Sequence, residues 1–193
     1  MISILVAYTK NKRVIGAQGK IPWKLSSERN RFKEICRDKY VIMGRKSFEE
    51  IGKPLPYCKL VIVTRDSRVK PENDKGISEN DKGISENDKG ISENDKGISE
   101  NDNNNLFFKK SLEEAIDFCK AQEQEEILIA GGATIYEQAL PHAKKIYATE
   151  IDANFEGDTF FPPLAPEWTS TLEETHEENG IKYSYLTYIR SSI

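Results

Sequence analysis

The chain has 193 residues, 37% of them hydrophobic, and a formal net charge of −4. That size suits one globular domain over residues 1–193, and the mild acidity excludes the basic excess that tracks a phosphate backbone, so no nucleic-acid partner is expected. Three scattered cysteines (Cys36, Cys58, Cys119) and two histidines (His142, His176) fit neither a disulfide framework nor a ligand spacing, so no metal site is expected and the setting is read as a reducing one.

The chain opens on an apolar run, Met1 to Tyr8, but Lys10, Lys12 and Arg13 follow too soon for a membrane span. The run is predicted to be a buried strand over 2–8. After Pro22-Trp23-Lys24-Leu25 the spacing predicts a helix over 27–37, with Phe32, Ile35 and Cys36 on one face. Glu28 falls on that same face, four residues before Phe32. A carboxylate aimed at an apolar pocket is costly without a partner, so Glu28 requires one from the protein or from a ligand. The plainer alternative is that Glu28 only complements the positive end of the helix dipole.

Next come a strand over 40–43, Gly44, and a helix predicted over 47–51 with Ser47 and Glu50 spaced as a capping box. Backbone N–H groups, Arg45 and Lys46 would then converge at a helix start, an arrangement that suits an anion. An ordinary turn with solvated cations is the alternative. A strand over 59–64 follows. Lys-Gly-Ile-Ser-Glu-Asn-Asp then occurs four times in succession over 75–102. Each copy has one apolar residue and one glycine, too little for a coiled-coil seam, so 72–105 is predicted to be a disordered, low-complexity insertion.

Ser111 and Glu114 form a second capping-box signal before a helix over 112–121, with Leu112, Ala115, Ile116 and Cys119 on one face. The strand over 126–130 ends at Gly131-Gly132, where a ligand can approach the backbone closely, before a helix over 133–140. The third glycine of the usual dinucleotide fingerprint is missing. Two anion-friendly turns nonetheless suggest a dinucleotide. A strand over 145–151, then a Glu178-Asn179-Gly180 turn and a terminal strand over 181–190, complete the pattern. The class is α/β, with a mostly parallel central sheet, an antiparallel C-terminal strand and flanking helices.

Set in order, Val14-Ile-Gly16, Ile21-Pro-Trp-Lys-Leu25, Glu28 with Phe32, Val41-Ile-Met-Gly-Arg45, Ile51-Gly52 with Pro54-Leu-Pro56, Gly131-Gly132 with Tyr136, and Glu156-Gly-Asp-Thr159 with Phe161-Pro162 are similar to dihydrofolate reductases. The resemblance covers residues 1–65 and 106–190. It implies that fold and the NADPH-dependent reduction of 7,8-dihydrofolate to 5,6,7,8-tetrahydrofolate, serving one-carbon metabolism, by a cytoplasmic monomer. Glu28 matches the family's active-site carboxylate, Thr149 the residue that hydrogen-bonds it, and Trp23 a holder of ordered water nearby. Leu5, Phe32, Ile51 and Leu55 match positions that enclose the pterin and its aromatic tail.

On the cofactor side the resemblance assigns Ala7 and the loop holding Val14, Ile15, Gly16, Gly19 and Lys20 to the nicotinamide and its mobile lid. Arg45, Lys46, Ser47, Thr64 and Arg65 match the phosphate and adenosine side, with Lys110 at its far end, and Arg65 is the candidate for the 2′-phosphate. Gly131, Gly132, Ala133, Thr134, Ile135 and Tyr136 match the lining of the pyrophosphate and nicotinamide. At Cys58 the family normally has an arginine that grips the substrate's α-carboxylate, a contact that Lys53 or Arg29 would have to replace. A dihydropterin without a glutamate tail is therefore the alternative substrate.

Overall fold

The computed structural model describes residues 1–65 and 105–191, so the expectation for the repeat lies outside the described residues. The strands are β1 (Ile2–Thr9), β2 (Val14–Gly16), β3 (Tyr40–Gly44), β4 (Lys59–Val63), β5 (Leu106–Lys109), β6 (Ile127–Ile129), β7 (Lys145–Asp152), β8 (Thr159–Phe160), β9 (Trp168–Glu178) and β10 (Ile181–Arg190). The helices are α1 (Ser26–Cys36), α2 (Arg45–Ile51), α3 (Leu112–Lys120) and α4 (Ala133–Ala139). Eight strands form one sheet in the order β5-β4-β3-β6-β1-β7-β10-β9, and β2 pairs with β8 apart from it. The six strands from β5 to β7 are all parallel, and β10 runs antiparallel to both of its neighbours.

Parallel neighbours need crossovers, and right-handed crossovers in opposite directions along a sheet put their helices on opposite faces. From β1 to β3 and on to β4 the chain moves one way through α1 and α2; from β5 to β6 and on to β7 it moves back through α3 and α4. The packing follows. Ile4, Val6, Ile42, Val61 and Ile129 meet Leu112, Ala115, Ile116 and Cys119 of α3 and Ile135, Tyr136 and Ala139 of α4. The alternate residues Leu5, Val41, Met43, Leu60, Ile62 and Leu128 meet Cys36, Phe32 and Ile35 of α1 and Phe48 of α2. Strands covered on both sides must be apolar on both sides, which is why these runs do not alternate.

This topology opens a crevice. Gly44 at the end of β3 donates its N–H to Gly131 O at 2.7 Å just beyond β6, yet the two chains then depart toward opposite faces, into α2 and α4. Ligands of open α/β sheets bind at such a reversal, outside the carboxyl ends of the strands.

Three details differ from the sequence reading. Helix α2 starts at Arg45 behind Gly44, so Ser47 lies inside the first turn and caps nothing. Glu50, its expected partner, instead accepts from Ile21 N at 2.6 Å and fastens the chain entering the Pro22-Trp23 segment. The antiparallel part of the sheet is a hairpin, β9 and β10, rather than one strand. Its loop, Asn179 and Gly180, has positive φ at both residues (54° and 75°), the type I′ geometry that suits strand twist. Strand β9 is an exposed edge of Thr and Glu residues, so no apolar run marks it. By contrast the Ser111 cap forms: its hydroxyl accepts from Glu114 N at 3.2 Å, while the Glu114 carboxylate reaches Lys110 N at 3.0 Å.

Candidate active site

On the α1 side of the sheet the core is split in two. One patch is the Leu5–Cys36–Leu60 cluster, with Phe32, Phe48, Leu55 and Tyr57 packed against it. The other contains Trp23, Leu25, Ile151, Tyr183 and Tyr185, with Ala7 packed against it. Glu28, in the first turn of α1, lies within electrostatic reach of Cys36 in the first patch and Tyr185 in the second. Burial pushes its carboxyl up to about 7, outweighing the pull of the Arg31 and Arg29 guanidinium groups. Arg31 is itself engaged, stacked 4.2 Å over the Tyr185 ring and paired with Glu173 at 3.0 Å. No hydrogen bond or ion pair reaches the Glu28 carboxyl from the described residues.

Other groups converge on this gap. Thr149, 1% exposed, pairs in register with both Ala7 and Tyr185. Because Ala148 packs toward α3 and α4, the next side chain along the strand faces α1. Trp23 is buried with its Nε1 lacking a hydrogen-bond partner among the described residues. From the α4 side, the Tyr136 hydroxyl donates to Leu5 O at 2.8 Å. Leu5, Phe32 and Leu55 thus belong to the first patch, Trp23 to the second, with Glu28 between them and Thr149 on the strand face toward α1. Ile51, the last residue of α2, and Lys53 beyond it are exposed and lie outside the apolar patches.

Cys58 is 3% exposed and sits in the first patch with Cys36, its thiol pushed up to about 12 by burial. A neutral thiol within an apolar cluster cannot hold a carboxylate. Lys53 and Arg29, both exposed, remain on the outside.

A second region lies on the other side of the crevice. A cavity of about 490 Å³ is lined by Val63, Thr64, Arg65, Lys110, Ser111, Leu112, Glu113, Thr134, Ile135 and Gln138. It gathers Thr64, Arg65, Lys110, Thr134 and Ile135 from three separate stretches of chain. Ser111, Glu113 and Gln138 were not foreseen as lining, because helix capping and surface polarity gave a sufficient reason for each. Arg45 and Lys46 do not line it; Arg45 pairs with Glu49 at 2.7 Å along its own helix.

At the crevice itself, Ser47 Oγ lies 3.1 Å from where a Cβ on Gly132 would stand, and Gly131 has φ +113° with the Tyr136 hydroxyl 3.2 Å from its own missing Cβ. The positive φ of Gly131 calls for glycine there, and a side chain at Gly132 would press on Ser47 where α4's entry approaches α2. Ala133 opens α4 directly behind it, and the Gly131–Gly132 peptide bond is cis. The loop over 14–20 is tied down at both ends: Val14 N donates to Thr9 Oγ1 at 3.0 Å at its base, and Asp158 accepts from Gln18 N at 2.8 Å at its outer turn. Val14 is fully buried, Ile15 and Gly16 half-buried, and Gly19 and Lys20 exposed at the loop's outer turn.

A twisted parallel sheet with a crevice at its carboxyl ends, an unpaired carboxyl on one side and a cation-bearing cavity on the other defines an α/β protein built to hold a small polar ligand. Comparison with known proteins is more specific. The dihydrofolate reductase family model matches residues 1–95 and 91–190. The chain is 33% identical to the dihydrofolate reductase of Staphylococcus haemolyticus over 198 residues, which span 100% of this chain and 96% of the relative. It is 31% identical to that of Haemophilus influenzae, covering 97% of this chain and 98% of the relative, and 30% identical to that of Bacillus subtilis, covering 97% and 94%. The chain belongs to the dihydrofolate reductase family.

Proposed function

We propose that this protein reduces 7,8-dihydrofolate to 5,6,7,8-tetrahydrofolate with NADPH, and that the gap around Glu28 holds the pterin. The observation that carries this reading is a carboxyl group in an apolar gap with no partner from the described residues. Such a group is suited to a ligand that offers two neighbouring N–H donors, as the 2-amino group and ring N–H of a pterin do. Reduction also requires a proton at the ring nitrogen beside the carbon that is reduced. A carboxyl that titrates near 7 is matched to that task at neutral pH. Thr149 orients the carboxyl, and the free Trp23 N–H is suited to ordered water next to it. Leu5, Phe32 and Leu55 enclose the ring and tail, with Ile51 and Lys53 at the outer lip.

When bound, NADPH supplies the hydride. The residues fit such a group: Arg65 and Lys110 put two cations on the cavity wall, and the crowded Gly131-Gly132 turn leaves backbone rather than side chain at the crevice. Arg65 would hold the 2′-phosphate, with Thr64 and Lys110 beside it. Gly131 to Tyr136 and Ser47 would border the pyrophosphate, and Ala7 with the loop over 14–20 would exclude water from the nicotinamide. We read it as a cytoplasmic monomer of one-carbon metabolism, and the three free, buried cysteines are in keeping with a reducing setting. Among the described residues no helix is long and apolar enough to cross a membrane. We read residues 72–105 as an insertion in this single domain.

The burial of Cys58 favours one second reading, a dihydropterin substrate without a glutamate tail. Mass analysis of the products decides between them. Dihydrofolate should yield one tetrahydrofolate per NADPH consumed, with kcat/KM at least tenfold above that of a tail-less dihydropterin. A chain that binds NADPH and turns over only the tail-less compound would reject dihydrofolate as the substrate.

A further inference from the structure

Leu25 caps α1 but offers no side chain to the open N–H groups of the first turn. Two of those groups, the N–H of Ser26 and of Ser27, are satisfied from near the far end of the chain. Glu178, the last residue of β9, accepts from Ser26 N at 2.7 Å and from Ser27 N at 3.0 Å. It also accepts from the Ser27 hydroxyl, which meets the hydroxyl of Tyr183 on β10. Its neighbour Asn179 donates to Lys24 O at 3.4 Å, a second tie between the hairpin and the entry to α1. Glu28 follows one residue after Ser27, so two carboxylates share one helix start and only one of them is hydrogen-bonded there.

We propose that Glu178 is a positioning residue for Glu28: it anchors the turn that carries Glu28 and takes up the N–H groups that would otherwise favour a Glu28 anion. This rests on the reading of Glu28 as the carboxyl that holds a proton for the reaction. Free N–H groups at a helix start stabilise a nearby anion, and occupying them with another residue's carboxylate removes that help. Glu178 remains charged throughout the range in which Glu28 titrates, since its three hydrogen bonds from Ser27 and Ser26 hold its carboxyl down to about 2.

The groups that face Glu28 are Arg29, Arg31 and Cys36 from its own helix, Tyr136 from α4 and Tyr185 from β10. Those beside Glu178 are Ser26 and Ser27 from α1 and Tyr183 from β10. His176 of β9 stacks on Tyr183 and is paired with Glu174 at 2.8 Å. None of them duplicates the hydrogen bonds that Glu178 makes to the helix.

Infrared spectra of the full chain without ligand, carrying carbon-13 glutamate, follow the protonated carboxyl band as pH rises. The band that vanishes in Glu28→Gln reports Glu28. It should titrate near 7 in the unaltered chain and about half a pH unit lower in Glu178→Gln and Glu178→Ala, given the usual size of helix-terminus effects. Turnover in these variants should then fall about threefold more at high pH than at low pH. A lower Tm with the Glu28 midpoint unmoved in both variants would make Glu178 a plain helix cap and overturn the proposal. Glu178→Gln keeps the side-chain volume and one acceptor, so it carries the test if Glu178→Ala does not fold. A band near 7 that survives in Glu28→Gln would instead overturn the reading of Glu28, and the proposal with it.

Discussion

Glu28 works against the fold that holds it. Its carboxyl has an ordinary value of 4.5 in the unfolded chain and about 7 in the folded one, so the folded state binds the proton more tightly. The stability linked to that proton is fully present below about pH 4.5 and is lost as pH rises through about 7. Above that, keeping Glu28 charged costs up to about 3 kcal/mol. Glu28→Gln should therefore raise stability in urea by up to that amount at high pH and change it little at low pH; an equal gain at both would contradict this origin. At the cofactor side, Arg65→Ala should weaken NADPH by roughly ten- to hundredfold, the size of a charge-assisted contact, and leave NADH almost unchanged. Titration of intrinsic fluorescence with each nucleotide measures both. Helical period put Glu28 on the apolar face of its helix, and the family resemblance supplied the role read for it. Glu178 was not, because nothing local distinguishes a glutamate before an Asn-Gly turn from one that closes onto a helix far away in sequence.

Elements divide by how they are buried. Strands β1, β3, β4 and β6 are covered on both faces and read as largely apolar runs, whereas β9 lies at an exposed edge and carries no such signal. The start of α2 was misplaced because Ser47 and Glu50 had the right spacing for a cap while Gly44 already performed that role. At the amino ends of the strands, Glu126 just before β6 accepts from Ser3 Oγ at 2.7 Å, Lys39 Nζ at 2.6 Å and the Tyr147 hydroxyl at 3.2 Å. Burial pushes this carboxyl up, but the bonds from Lys39 and Ser3 outweigh it and hold it below the usual range. A lowered carboxylate adds stability above its unfolded value that is lost as pH falls through its folded one. Glu126→Gln should cost about 1 to 3 kcal/mol near neutral pH and flatten the loss of stability on acidification. Denaturation curves that stay parallel to the unaltered chain across that range would assign the effect to packing instead.

Across the whole molecule, function follows from the direction of the crossovers. The chain moves along the sheet one way and then the other, and the reversal between β3 and β6 leaves a crevice with the Glu28 gap on one side and the Arg65–Lys110 cavity on the other. Ordered motifs spread over the whole chain made the family legible. The joining of α1 to the C-terminal hairpin depends on tertiary contacts that no local pattern carries. The four-copy repeat follows Arg65 by a short stretch. On the proposed reading of the repeat as an insertion, deleting residues 75–102 should leave turnover and NADPH affinity within about threefold, because loop length adds closure entropy only slowly. Loss of NADPH binding in that deletion would make the repeat part of the cofactor site.

The most direct test follows NADPH absorbance with dihydrofolate for the unaltered chain and for Glu28→Gln side by side. Steady NADPH loss in the first, reduced by roughly 10²- to 10⁴-fold in the second while NADPH still binds, is the expected result. Equal turnover in both would remove Glu28 from the centre of the mechanism, and no turnover in either would contradict the assignment of dihydrofolate reduction.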